Sequence, residues 1–178
     1  MVAFKELYND KIIAEMMKSG KYTNVMQVPR MTKVVINMGV GVPGDRDELK
    51  AVSGDLAKIT GQQPMVTHAR KSIAAFRLRE GMAMGCKVTL RDIRMYEFMH
   101  RLVYIALPRI RDFRGVSATG FDQQGNYTLG LSDQTIFPEI NPDSVKRTQG
   151  MDVCFVNTAS NRDEGYELLK HFGMPFDK

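Results

Sequence analysis

The sharpest candidate for chemistry in this sequence is Gly39-Val40-Gly41-Val42-Pro43-Gly44. It spells G-x-G-x-x-G between a predicted strand and a predicted helix, the setting a dinucleotide-binding turn requires. Three features weigh against that use. Pro43 has no N–H where backbone donors should meet a pyrophosphate. Asp45 and Asp47 put negative charge where the phosphates would lie. The stretch that should end in a ribose-binding acid reads GQQPMVTHA and holds none. The run is read as a glycine turn, and no cofactor is expected. Catalytic patterns are equally thin. There is no P-loop and no G-x-S-x-G, and Ser72, Ser117, Ser132 and Ser160 lack a nucleophile-elbow setting. Cys86 and Cys154 sit far apart and read as reduced thiols of a cytoplasmic protein. His68, His100 and His171 lie at no metal-ligand spacing, so no metal is expected. A site assembled from distant residues stays open, but nothing in these patterns argues for one.

Charge is more informative. The 178 residues carry 25 Lys and Arg against 20 acids, a net charge of +5. Residues 66–114 hold eleven of those bases against four acids, while the rest of the chain is slightly negative. Nine of the eleven are Arg, whose planar fork suits phosphate. A focused positive field of this kind points to a polyanion, most often nucleic acid; the plain alternative is a solvated basic face. His68-Ala69-Arg70-Lys71-Ser72 supplies groups suited to phosphates, and Phe76 then alternates with Arg77 and Arg79. Asn37 is a polar residue inside an apolar strand, either facing solvent or offering a hydrogen bond to a ligand. Met82, between Gly81 and Ala83, is a contact candidate at a loop tip or else folds back on the domain.

The elements that must position these groups follow from periodicity. Phe4, Leu7, Tyr8, Ile12 and Met16 predict an amphipathic helix over 3–19, stopped by Gly20. TKVVINMG (32–39) predicts a strand. Asp45 and Glu48 signal a helix cap, with Leu49, Val52, Leu56 and Ile59 as the stripe that follows. Residues 64–69 and 76–79 read as extended, 80–85 as a loop tip and 86–91 as a strand, so 76–91 form the predicted hairpin. Residues 92–113 read as the longest helix, with Ile93, Phe98, Leu102, Ile105 and Ala106 facing the core. Pro108 should bend or break that helix. Met84, Met95 and Met99 are expected to fill core gaps. Beyond it come a loop and hairpin around Gly125-Asn126, a strand at 151–158 and a last helix to Phe172.

The length suits a single domain spanning 1–178. No run approaches the roughly 18 to 20 apolar residues of a membrane span, and the start lacks the pattern of a secretory signal. Helices and strands mix without a βαβ repeat. The fold class is therefore α+β, a mostly antiparallel sheet with helices on one face and a protruding hairpin.

Four long blocks carry a resemblance: VMQVPRMTKVVINMGVG (25–41), TGQQPMVTHARKSIAAFRLREGMAMGCKVTLR (60–91), MYEFMHRLVYIALPRIRDFRG (95–115) and FDQQGNYTLGLSDQTIFPEI (121–140). With them the chain resembles the bacterial ribosomal protein L-five family along its whole length. The resemblance implies a structural protein of the large ribosomal subunit, not an enzyme, that binds 5S ribosomal RNA and anchors it in the central protuberance. Partners would be 5S rRNA, nearby 23S rRNA and other central-protuberance proteins, with no membrane and a cytoplasmic, ribosome-bound location. The family's RNA-facing positions match Asn37, Gln63, Thr89 and Arg91. Thr67, Arg70, Lys71, Ser72, Arg77 and Lys87 are added as neighbours on charge grounds. The family's hairpin reaches the elbow of the P-site transfer RNA, which maps to 79–85: Arg79, Ala83, and Gly81 with Met82 at the tip. The family also meets a small-subunit head protein at an inter-subunit bridge, for which 109–114 and 115–145 are the expected regions.

Overall fold

The structure, a computed structural model, describes residues 3–41, 46–145 and 147–177. The distal part of the glycine-rich run, with Pro43 and the expected Asp45 cap, lies outside the described residues. Five strands form a sheet: β1 (Met31–Gly39), β2 (Met65–His68), β3 (Ala83–Leu90), β4 (Tyr127–Leu131) and β5 (Met151–Asn157). The sheet is antiparallel, in the order β2-β3-β1-β5-β4, and the α+β expectation holds. The chain divides into two compact units.

The first unit comprises Met1–Val34, Leu90–Leu129 and Cys154–Lys178. Its N-terminal helix is α1 (Ala3–Leu7), a π-helical turn (Tyr8–Ile12) and α2 (Ile13–Lys18). The buried stripe Phe4, Tyr8, Ile12, Met16 repeats every four residues, which would drift around an α-helix of 3.6 residues per turn. The wider π turn absorbs that drift and keeps the stripe on one face. Gly20, at φ 73, ends the segment as expected.

The predicted 92–113 helix is shorter and less regular than its apolar pattern suggested. α4 (Asp92–Arg101) passes into a π turn (Leu102–Ala106) and a 3₁₀ turn (Leu107–Arg109) holding Pro108, and Ile110 is already extended. Phe98, Leu102 and Ala106 are buried, whereas Ile93 and Ile105 are exposed, against expectation. Ile93 lies in the first turn between exposed Asp92 and Arg94, and Ile105 lies in the π turn, where the α-helical repeat on which its placement rested is broken. α5 (Arg162–His171) closes this unit. Phe172, just beyond α5, stacks on Tyr8 with centroids 6.1 Å apart and meets Phe4 at 5.4 Å. Gly165 lies where a Cβ would run into the Gly125 carbonyl, so only glycine allows that approach.

The second unit comprises Val35–Thr89 and Gly130–Val153. α3 (Arg46–Thr60) buries Val52, Leu56 and Ile59. Ile36 and Met38 of β1 and Cys86 and Val88 of β3 are buried on one sheet face. α3 supplies the apolar stripe that such a face needs. The residues between them in sequence, Val35, Asn37, Lys87 and Thr89, are more exposed and form the opposite face. Buried Gln134 ties its own turn to Arg147 and Gln149. Its side-chain amide donates to the Arg147 carbonyl at 3.0 Å, and its Oε1 accepts from the Gln149 N–H.

Candidate nucleic-acid interface

Strand alternation builds the open face of the second unit. β2 pairs antiparallel with β3, placing Met65 opposite Lys87 and Thr67 opposite Gly85. Opposed residues share a face, so Met65 and Thr67 join Lys87, Thr89 and Asn37 on the uncovered side. Gln63 precedes β2 and is exposed. The turn before it is fixed from below. The buried Thr60 hydroxyl donates to the Leu56 carbonyl at 2.7 Å, Gly61 takes φ 66, and the Gln62 amide donates to the Thr89 carbonyl at 3.3 Å. Asn37, Thr67, Lys87 and Thr89 are therefore gathered on one open face of the sheet, with exposed Gln63 two residues before β2. The exposure of Asn37 excludes a core role for its amide. Met65, 65 % exposed, lies among them.

β3 approaches β1 closely at one point. A Cβ on Gly85 would strike the Met38 carbonyl and lie 3.1 Å from the Gly39 Cα. Beside it the Val40 N–H donates to the Met84 carbonyl at 2.9 Å. The β2–β3 register shifts between Thr67 and His68, where Met84 of β3 is left without an opposite residue.

The β2–β3 connection corrects the predicted hairpin. Residues 76–79 are not a strand. Ala74–Phe76 form a 3₁₀ turn, and Arg77 takes a left-handed backbone at φ 52. The strand that pairs with β3 is β2. The turn at the far end is 73–78, closed by Ile73 N–H to Leu78 carbonyl at 2.9 Å and the reciprocal bond at 3.1 Å. Gly81 and Met82 therefore sit at the neck of the loop. The Ala69 N–H donates to the Met82 carbonyl at 2.8 Å, and the Gly81 N–H to the Ala69 carbonyl at 3.0 Å. Met82 is folded back, its sulfur accepting the Arg79 N–H at 3.2 Å. Ala83 is the first residue of β3. Ser72 braces the same neck, its hydroxyl accepting the Glu80 N–H at 2.9 Å.

Arg70, Lys71, Arg77 and Arg79 are exposed on this loop and form no ion pair with any described residue. Lys87 on the sheet is likewise exposed. These five cations point outward from the loop and the sheet. Arg91 belongs to the first unit, exposed and extended at the N-cap of α4. Arg109, Arg111 and Arg114 are exposed there too.

Sequence reasoning missed Met65 and the prominence of Phe76, which is 67 % exposed. For Met65 the signal was available, since alternation places it with Thr67 on one face. For Phe76 it was not, because the alternation read over 76–79 has no meaning in a turn.

Among the described residues no group of three or more His, Cys, Asp or Glu gathers to hold a metal. No described helix is long and apolar enough to cross a membrane.

Comparison with known proteins bears on what this surface belongs to. Residues 24–79 match a family model described as ribosomal protein L5, and residues 83–176 match a second model, described as the C-terminus of that ribosomal family. A protein of Heliobacterium modesticaldum named large ribosomal subunit protein uL5 is 55% identical over 177 residues, covering 99% of this chain and 98% of the relative. The proteins of that name from Magnetococcus marinus and Thermotoga maritima are 52% and 51% identical, covering 100% and 99% of this chain and 97% of each relative. The two matches adjoin at the end of the β2–β3 loop and take in both sides of the open sheet face, and on that ground the chain belongs to the ribosomal protein L5 family.

Proposed function

We propose that this chain is a structural protein of the large ribosomal subunit that binds 5S rRNA through the open sheet face of residues 35–89. The observation that carries the reading is the uncovered face itself, where Asn37, Thr67 and Thr89 share a side of the sheet with Lys87 and exposed Gln63 precedes β2. An even surface of short polar groups suits RNA, whose wide minor groove displays 2′-hydroxyls and base edges. Lys87 and the cations of the neighbouring loop supply phosphate contacts and counterion release. The amides and hydroxyls supply directional bonds that favour one RNA shape.

The finer assignments extend this reading. Arg91 adds a cation for rRNA from the start of α4. The 69–82 loop contacts the P-site transfer RNA elbow, with the 73–78 turn as its leading edge and Arg79, Gly81, Met82 and Ala83 behind it. The 109–114 and 115–145 stretches meet a small-subunit head protein at the bridge. Nearby 23S rRNA and other central-protuberance proteins complete the surroundings, and residues 1–178 act together as one rRNA-binding protein. No residue is assigned a catalytic role, in keeping with a family of ribosomal proteins.

The test is binding to 5S rRNA against a length-matched unrelated RNA across a salt series. A preference for 5S rRNA that persists at high salt is the expected outcome. Equal binding to both RNAs that collapses with salt would reduce the surface to a general basic patch.

A further inference from the structure

The sequence holds 13 methionines, and the fold sorts them by exposure. Most of those described are buried, Met38 on the covered side of the sheet among them. Among the described residues only Met26 and Met65 are largely exposed, at 87 % and 65 %. Met65 begins β2 and stands directly opposite Lys87, on the open face with Thr67. Half-buried Met82 is in a different state, since its sulfur already accepts the Arg79 N–H at 3.2 Å.

We propose that Met65 is an oxidation site: peroxide converts its thioether to the sulfoxide in the free protein, and bound rRNA shields it. This rests on the reading of the open face as the 5S rRNA surface. The sulfur lone pair attacks one peroxide oxygen. The S–O bond forms as the O–O bond breaks, sulfur gives up two electrons, and the other oxygen leaves as water with both hydrogens. The rate follows exposure, because the oxidant must reach the lone pair. The product puts a polar, chiral group where a flexible apolar one stood. Directly opposed residues have Cβ atoms about 4.5–5.5 Å apart, so the sulfoxide oxygen comes within reach of the Lys87 ammonium. That ammonium donates a charge-assisted hydrogen bond to it, in competition with phosphate. A sulfoxide reductase fed by a dithiol reverses the step, releasing the oxygen as water and leaving a disulfide. Oxidation therefore marks protein that has not yet met its RNA.

The test treats the full-length protein with hydrogen peroxide, alone, with 5S rRNA or with a length-matched unrelated RNA, and follows each methionine by peptide mass spectrometry. Met65 should oxidise with Met26, ahead of buried Met174, and be protected by 5S rRNA but not by the unrelated RNA. Oxidised protein should then bind 5S rRNA about fivefold weaker or more. Met65→Leu keeps the bulk and cannot be oxidised, so the ratio of its affinities before and after peroxide should stay near one. Met26→Leu should still lose affinity, and sulfoxide reductase should restore the parent. Recovery with dithiothreitol alone would assign the loss to the half-buried thiol of Cys154 and overturn the proposal. Met65 oxidising no faster than Met174, no protection by 5S rRNA, or an equal loss in Met65→Leu also overturns it, and leaves the 5S reading intact. Untreated protein that shows no preference for 5S rRNA overturns that reading and the proposal together.

Discussion

Asn37 and Lys87 lie on the same uncovered face yet act through different physics. Asn37 is neutral, so it releases no counterion when it binds. Asn37→Ala should weaken 5S rRNA binding by a few-fold, roughly one hydrogen bond's worth of about 0.5–1.5 kcal/mol, with an unchanged salt slope. Lys87→Ala should instead lower the slope by about one unit or less. Filter binding from low to high salt separates the two. A slope change in the Asn37 variant would mean its loss rearranges the cations. The sequence already marked both residues, Asn37 as a polar interruption in an apolar strand and Lys87 as a base in an alternating one. Which side of the sheet they face was beyond it, since alternation pairs residues without saying which face a helix will cover.

At the scale of elements, two contacts hold the second unit in shape. Gly85 lets β3 approach the β1 backbone at Met38 and Gly39. Gly85→Ala puts a methyl group against backbone that cannot swing aside, and should cost about 1–3 kcal/mol. A lowered urea midpoint with weaker 5S rRNA binding checks it; an unchanged midpoint would show that the strands part easily. Gln134→Ala strands the Gln149 N–H and the Arg147 carbonyl that the buried amide now satisfies. Its expected cost is about 1–3 kcal/mol by the same denaturation. The strands and α3 were readable because each carries a regular apolar period. The 73–78 turn was not, because a two-bond closure and a left-handed Arg77 leave no period behind. The end of α4 was half readable: Pro108 marked the break, but the two π turns in this unit have no signature in the sequence.

For the whole molecule, burial sets an alkaline limit. Desolvation pushes the Cys86 thiol from an ordinary value near 9 up to about 11. Tyr22, Tyr96 and Tyr127 are pushed from 10 to about 12, chiefly by burial. In each case the folded protein favours the neutral form, so the stabilising contribution is complete below the unfolded value and is lost as pH rises through the folded one. Stability should therefore fall from about pH 9 upward, first through Cys86 and then through the tyrosines. Cys86→Ala should be less stable at neutral pH because of the cavity, yet its urea midpoint should decline less between pH 9 and about 11. Parallel declines in parent and variant would remove Cys86 from the account.

By itself the sequence determined the α+β class, most of the buried stripes, the concentration of cations in residues 66–114 and, through four long blocks, the family. These are properties of local period and residue identity, which survive without coordinates. Tertiary structure decided which face of the sheet stays open, that β2 rather than 76–79 pairs with β3, and that Phe76 rather than Met82 leads the loop. Those outcomes depend on contacts between residues distant in sequence. A strand's neighbour and a loop's leading residue are chosen by the free energy of closing the whole set of pairings, to which any short stretch contributes only a part.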